Sequence, residues 1–502
     1  MALGLLTLPL EIRMLIFSYL PNSIIKNLRL TCSSIKNATR LDLDRVFLSI
    51  QKRDIEVFRN IASHDTMRLQ VKEIIWDDGS FSQSPLEEVV ERDGEYYGQV
   101  SGLPYEKVPA GQYRGSSPKF CPIWFSQECD KNISEFAADK FGPRMAEELM
   151  EWMMKLRKPQ PWRSWEMYKE YLRDQLEVLD SEADVEALKF GLEQFPALRR
   201  ITIIPTAHRK LLEPLYPTPN IRSLSSIFNY PIPQPWPVSN EDTFPVNATP
   251  WTEDAEEFLK ERWRGFRVVT RCLAEQAGKH HVSELVIDPG NLKTGINYNI
   301  FNTPCRELSN FTTILEQPGF KRLDLTLFVG GEEDIVWIPF KDSHYHSVFS
   351  KCPDLEHITF GTDKGIYATE ELSMDHFTSL LSLFPVHKWS KLRHFGLSSF
   401  PVVQSDIIDL LDAMPLTLRT VELTGLLFIN DGENYKSLLT AMRNTLNWKE
   451  RAVGDRPQVT FWTRSSANML HAHMEKTVSN YLYGDGGNPM VVGPNRKMYF
   501  SG

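Results

Sequence analysis

One short phrase, apolar at its positions 1, 4 and 6, recurs along this chain and constrains the fold more than any other feature. It reads Leu198-Ile201-Ile203, Val282-Leu285-Ile287, Phe320-Leu323-Leu325, Leu355-Ile358-Phe360, Leu392-Phe395-Leu397 and Leu418-Val421-Leu423, and its last five starts lie 38, 35, 37 and 26 residues apart. Positions 4 and 6 point to one face of a strand, because successive side chains alternate. Val71-Ile74-Trp76 has the same form and is the expected first strand of the series. Between strands the pattern turns helical: Ile407, Ile408, Leu410 and Leu411 precede one phrase, and Phe377, Leu380, Leu381 and Phe384 another. Pro385 and Pro415 are placed to end those helices. A unit of this size cannot bury its apolar face alone, so stacking into a curved solenoid is expected. A non-repetitive α/β domain whose strands share the spacing is the competing arrangement.

Two stretches interrupt the series. Residues 77–122 are rich in Gly, Ser, Pro and acids, beginning Asp77-Asp78-Gly79-Ser80, and residues 205–250 hold many prolines around Trp236 and Trp251. Insertions in a repeat array map to loops on one face, often the binding face, with flexible linkers as the alternative. Residues 133–195 read as helices whose Trp152, Trp162 and Trp165 are expected to serve packing. The tail from Tyr481 has turn residues and little periodicity, so a surface strap or disorder is expected there.

At the other end, Leu8-Pro9-Leu10-Glu11-Ile12 opens a helix: Pro9 suits a first turn and Glu11 the positive helix start. Ile12, Leu15, Ile16, Tyr19 and Leu20 then form one apolar stripe, and Pro21-Asn22-Ser23 stops the helix. A second short helix with Ile24, Ile25 and Leu28 inward and a third through Ile35 and Ala38 complete about forty residues. Three helices of this size make little core, so part of their apolar surface is expected to pack on another chain or on the next domain. Residues 1–60 hold nine Lys/Arg and five Asp/Glu, a charge of +4 in a chain of net charge -9, which favours an acidic partner at this end.

Leu8-Pro9-Leu10-Glu11-Ile12, Ile16-Phe17-Ser18-Tyr19-Leu20-Pro21 and Leu28-Arg29-Leu30-Thr31-Cys32 resemble an F-box of the kind found in fungal F-box proteins, in the family's order and spacing. Family members often carry Val-Cys-x-x-Trp at the third helix, where this chain has Thr31-Cys32-Ser33-Ser34-Ile35. The resemblance covers about forty positions and implies docking on the Skp adaptor of SCF ubiquitin ligases and, through it, on a cullin. Leu8, Pro9, Ile12, Ile16, Leu20 and Leu28 match the positions that face that adaptor or set the helix pair against it. The helix, Pro-containing turn and Leu-x-x-Leu-x-Leu strand likewise resemble a degenerate leucine-rich repeat. The expected fold class is therefore α/β: a small all-α F-box (1–45), then a leucine-rich-repeat-like solenoid (46–480) with insertions near 77–122 and 205–250, and a tail (481–502). The implied function is that of a substrate-recognition subunit, not itself an enzyme, which holds a protein substrate of unknown identity. An adaptor-binding scaffold without ubiquitin transfer is the alternative.

No other chemistry emerges. The six cysteines are scattered without a Cys-x-x-Cys pair, which suits a reduced cytoplasmic or nuclear protein. The apolar start lacks a basic n-region and a cleavage site, and no run of about 18 apolar residues occurs, so neither secretion nor a membrane span is expected. His344-Tyr345-His346 and His471-Ala472-His473 lack further metal ligands at usual spacing, so no metal or cofactor is expected. The acidic balance argues against nucleic-acid binding. Arg262, Arg264, Arg267 and Arg271 alternate with acids and read as a solvated helix face.

Overall fold

A computed structural model describes residues 8–20, 22–39, 41, 43–82, 88–92, 95–99, 106–107, 122–141, 161–224, 228–233, 236–238, 248–252, 257–290, 292–330, 340, 344–363, 374, 377–462, 469–492 and 498–500. The chain is mixed α/β, and its centre is a ten-stranded parallel sheet. Nine strands lie in chain order: β1 (Arg45–Ser49), β2 (Glu73–Asp77), β3 (Arg200–Ile204), β4 (Glu284–Ile287), β5 (Arg322–Phe328), β6 (His357–Thr362), β7 (His394–Ser398), β8 (Thr420–Thr424) and β9 (Gln458–Trp462). The short strand Ile296–Asn297 adds to β5.

Register explains the recurring phrase. Position 4 forms one ladder across all nine strands: Val46, Ile74, Ile201, Leu285, Leu323, Ile358, Phe395, Val421 and Val459 are successive partners. Position 6 forms a second, from Leu48, Trp76, Ile203 and Ile287 to Leu325, Phe360, Leu397, Leu423 and Phe461, and all of these side chains are buried. A one-residue slip would turn both ladders to the opposite face, so burial fixes the pairing. Position 1, from Val71 to Leu418, is buried in the same core.

That core lies between the sheet and one layer of helices: α4 (Lys52–Ala62), α7 (Ala183–Gln194), α8 (Arg264–Glu275), α9 (Arg306–Leu315), α10 (Tyr345–Phe349), α11 (Leu380–Leu383), α12 (Gln404–Asp412), α13 (Tyr435–Thr445) and α14 (Met469–Tyr483). Each packs on the next. The expected helix around Phe377 is a single turn, Leu380–Leu383, and Pro385 follows it directly. α14 carries helix into the tail, and Asn488 Nδ2 then donates to Lys436 O on α13 at 3.0 Å, strapping the last helix pair.

Both insertions are more structured than their composition suggests. Within 77–122, Glu88–Arg92, Glu95–Gln99 and Glu106–Lys107 form a small antiparallel sheet. Further along, α5 (Ile123–Phe141) and α6 (Pro161–Ser181) enclose an aromatic core of Phe81, Phe125, Tyr168, Phe228 and Tyr230, with Trp165 packed at its edge. Trp152 lies outside the described residues. The described part of the 205–250 insertion is partly packed inward: Trp236, like Trp251 just beyond it, is buried in the main core. Its first part, with Ala207, Tyr216 and Ile221, covers the outward side chains Phe47, Ile75 and Ile204.

The N-terminal unit comprises α1 (Leu10–Ser18), α2 (Asn22–Arg29) and α3 (Ser33–Ala38), with α3 packed on both others. Each gives one buried apolar residue, Phe17, Ile25 and Ile35. Arg29 Nη1 donates to Thr39 O at 2.6 Å and ties the end of α2 to the linker before β1.

Candidate functional site

The apolar stripe expected on α1 faces solvent. Pro9 is exposed and caps the helix from outside its first turn, with its carbonyl accepting from Arg13 N. Ile12 is 45 % and Ile16 37 % exposed, while Leu8, Leu20 and Leu28 are half-buried. Leu10, Met14, Leu15 and Tyr19 are exposed beside them, and Ile24 on α2 faces out rather than in. Phe17 is the one α1 residue that anchors the helix to its neighbours. A helix apolar nearly all round belongs in a core; here most of that surface has no cover within the described chain. Single exposed apolar residues are ordinary, whereas a cluster of this size on one helix marks an interaction site. Exposed Lys26 and Lys36 on α2 and α3 add positive charge nearby. Sequence periodicity found the stripe, the F-box resemblance turned it toward a partner, and Phe17 lies off the stripe as the buried anchor.

The outward face of the sheet is a second surface, and a polar one. At the start of the strands, Arg45, Glu73, Arg200, Glu284, Arg322, His357, His394 and Thr420 are successive register partners. Arg45 pairs with Glu73 at 2.9 Å and Arg200 with Glu284 at 2.5 Å, and Thr202 Oγ1 donates to Glu73 at 2.6 Å. From β4 onward this face lies beyond the cover of Ala207, Tyr216 and Ile221, and its floor includes Gly361 and Gly396.

The acids that open the first insertion are buried locks. Asp77 Oδ1 accepts from Gly79 N at 3.0 Å and Ala207 N at 2.9 Å. Asp78 Oδ1 accepts from Gly265 N at 2.7 Å, and its Oδ2 from Trp236 Nε1 at 2.7 Å. Desolvation by burial pushes Asp77 up to about 7 and Asp78 up to about 6, against these hydrogen bonds. α8 can approach only because residue 265 is glycine: a Cβ there would lie 2.4 Å from Trp76 Nε1 and 2.6 Å from Asp78 Oδ1. Burial likewise drives His208 down to about 3, leaving a neutral ring bonded to Tyr230 Oη at 2.8 Å.

Two of the four arginines, Arg264 and Arg267 on α8, are tied down rather than solvated, while Arg262 just before the helix is exposed. Arg264 grips fully buried Asp184 through two bonds, at 2.5 and 3.2 Å, and Arg267 joins Glu261 and Glu307 at 2.6 and 3.1 Å. Among the described residues, no three His, Cys, Asp or Glu side chains are placed to hold a metal ion, and the side chains of His471 and His473 lie outside them. The five described cysteines are free thiols, and no described helix is long and apolar enough to cross a membrane.

No protein-family model matches the chain, and no curated protein is similar enough to stand as a relative. What the geometry defines is a mixed α/β protein built on a large parallel sheet, with a small helical unit that leaves its apolar surface uncovered.

Proposed function

We propose that this chain is the substrate-recognition subunit of an SCF-type ubiquitin ligase. Residues 1–45 act as an F-box that docks on the Skp adaptor and through it on the cullin. The parallel sheet and its helix layer act as a leucine-rich-repeat-like solenoid that holds a protein substrate. One observation carries the reading: residues that match the F-box adaptor positions, Pro9, Ile12 and Ile16, stay at the surface while Phe17, Ile25 and Ile35 fill the small core. The inward ladders of positions 4 and 6 support the repeat assignment. Catalysis in this scheme is positioning: the chain contributes no nucleophile, and a tethered lysine reacts at high effective concentration. Work in the cytoplasm or nucleus follows from the partner.

Co-expression with the Skp adaptor tests the docking half. Wild-type chain should retain the adaptor through affinity purification, and Leu8→Ala with Pro9→Ala should weaken retention at least about tenfold. Failure of the wild type to retain it would remove the F-box reading. A protein that accumulates when this chain is deleted, and is ubiquitinated when it is restored, separates a ligase subunit from a scaffold.

A further inference from the structure

The outward side chains of β5 to β8 form one connected chain of contacts. Arg322 holds Asp324 Oδ2 through Nη2 at 2.6 Å and Nε at 3.1 Å. Asp324 Oδ1 stands at ion-pair distance, 2.9 Å, from His357 Nε2. The His357 ring lies flat on His394, with centroids 3.9 Å apart and planes 7° apart, and His394 Nδ1 is 2.7 Å from Thr420 Oγ1. Arg322, His357, His394 and Thr420 are register partners on adjacent strands, so the sheet itself sets these contacts.

We propose that the His357–His394 stack is a proton-sensitive latch across β6 and β7: the rings stay stacked while His394 is neutral, and a proton on His394 parts them. The argument is geometric. Two imidazolium ions cannot share a parallel stack at 3.9 Å in a half-buried setting, because like charges at that distance couple strongly. The two rings are not equivalent either. His357 faces the Asp324 carboxylate, whereas His394 faces His357 on one side and the uncharged Thr420 on the other. Nearby charged groups on this surface are Arg322, which opposes a second proton, its register partner Glu284 on β4, and Glu422, two residues along the same face of β8. Burial, with repulsion from His357, holds His394 down at about 4, in keeping with that asymmetry. On the same face Gly396 lies close against the Thr359 side chain, whose Oγ1 is 3.3 Å from His357 Nε2, so Thr359 links the stack to the β7 backbone.

Histidine-selective NMR on the full chain from pH 7.5 to about pH 3, a unit below the expected step, tests the latch, with the amides of Gly361 and Gly396 followed in parallel. The expected result is that His394 titrates in its own step near pH 4, with both glycine amides shifting in that step. His394→Phe keeps a flat ring on His357 but takes no proton, and should abolish the low-pH amide shifts while the chain stays folded by circular dichroism. Titration of His394 near 6.5 would overturn the latch. So would glycine amides that ignore the His394 step, or the same low-pH shifts in the phenylalanine variant.

Discussion

Asp78→Ala should be among the more costly single changes in the body of this protein, by an amount that depends on pH. In the folded chain this carboxylate joins three separate segments: its own strand end, Trp236 of the second insertion and the first turn of α8 at Gly265. Removing it leaves the Gly265 N–H and the Trp236 Nε1–H buried without an acceptor, at about 1 to 3 kcal/mol each. The contact to Trp76 Nε1, at 3.4 Å, adds little. Against this stands the burial of the charge. Because the folded group titrates near 6 rather than 3.8, its stabilising contribution is fully present below the unfolded value and is lost as pH rises through 6. That loss amounts to roughly 3 kcal/mol when complete. Asp78→Ala is therefore expected to cost about 2 to 5 kcal/mol near pH 5 and markedly less at pH 8. Asp78→Asn keeps one acceptor but points an N–H at Trp236, so it should fall between alanine and wild type at pH 5. Urea unfolding followed by tryptophan fluorescence reads this directly, since Trp76 and Trp236 sit at the site. A cost below about 1 kcal/mol at pH 5, or one that does not change with pH, would refute the lock.

Three further outcomes follow from buried polar groups. Arg264→Ala strips both bonds from Asp184 and should cost about 3 to 5 kcal/mol, much of it recovered by pairing Arg264→Met with Asp184→Leu; denaturation midpoints of the single and double variants check this. Tyr345→Phe removes a hydroxyl that is buried without a hydrogen-bond partner, so the chain should gain up to about 1 kcal/mol, and a clear loss in a urea titration would show that the hydroxyl has a role. Asp77→Asn keeps the acceptor for Gly79 and Ala207; since Asp77 is raised to about 7, its stabilising contribution is lost as pH rises through 7. The asparagine variant should therefore gain on wild type between pH 6 and pH 8, measured as the difference in melting temperature.

The strand ladders were legible because burial acts on them in the simplest way. Each inward position needs an apolar residue at period two, and Val71-Ile74-Trp76 proved to be β2. The first strand was missed although Leu43, Val46 and Leu48 carry the same phrase. The last breaks it, since Arg456 stands at position 1 and places its guanidinium over the Tyr483 ring instead. Charged residues misled more than apolar ones. Asp77 and Asp78 look like loop acids and Arg264 like a solvated cation, because sequence records the charge but not the buried partner that bonds it some 80 to 190 positions away. Trp236 and Trp251 misled for a similar reason: proline-rich surroundings suggest a loop, yet each indole N–H finds a buried carboxylate, Asp78 or Glu307. On α1 the limit was direction. An apolar stripe packs inward or waits for a partner; the resemblance implied the second, and the burial of Phe17 alone on α1 agrees with it.

Calorimetric titration of the full chain with purified Skp adaptor tests the central proposal most directly. The account predicts saturable binding with a Kd below about 1 µM. Ile12→Asp with Ile16→Asp should raise that Kd at least about tenfold while leaving the melting temperature unchanged, since both side chains are exposed. No binding by the wild-type chain, or binding indifferent to those two charges, would contradict it.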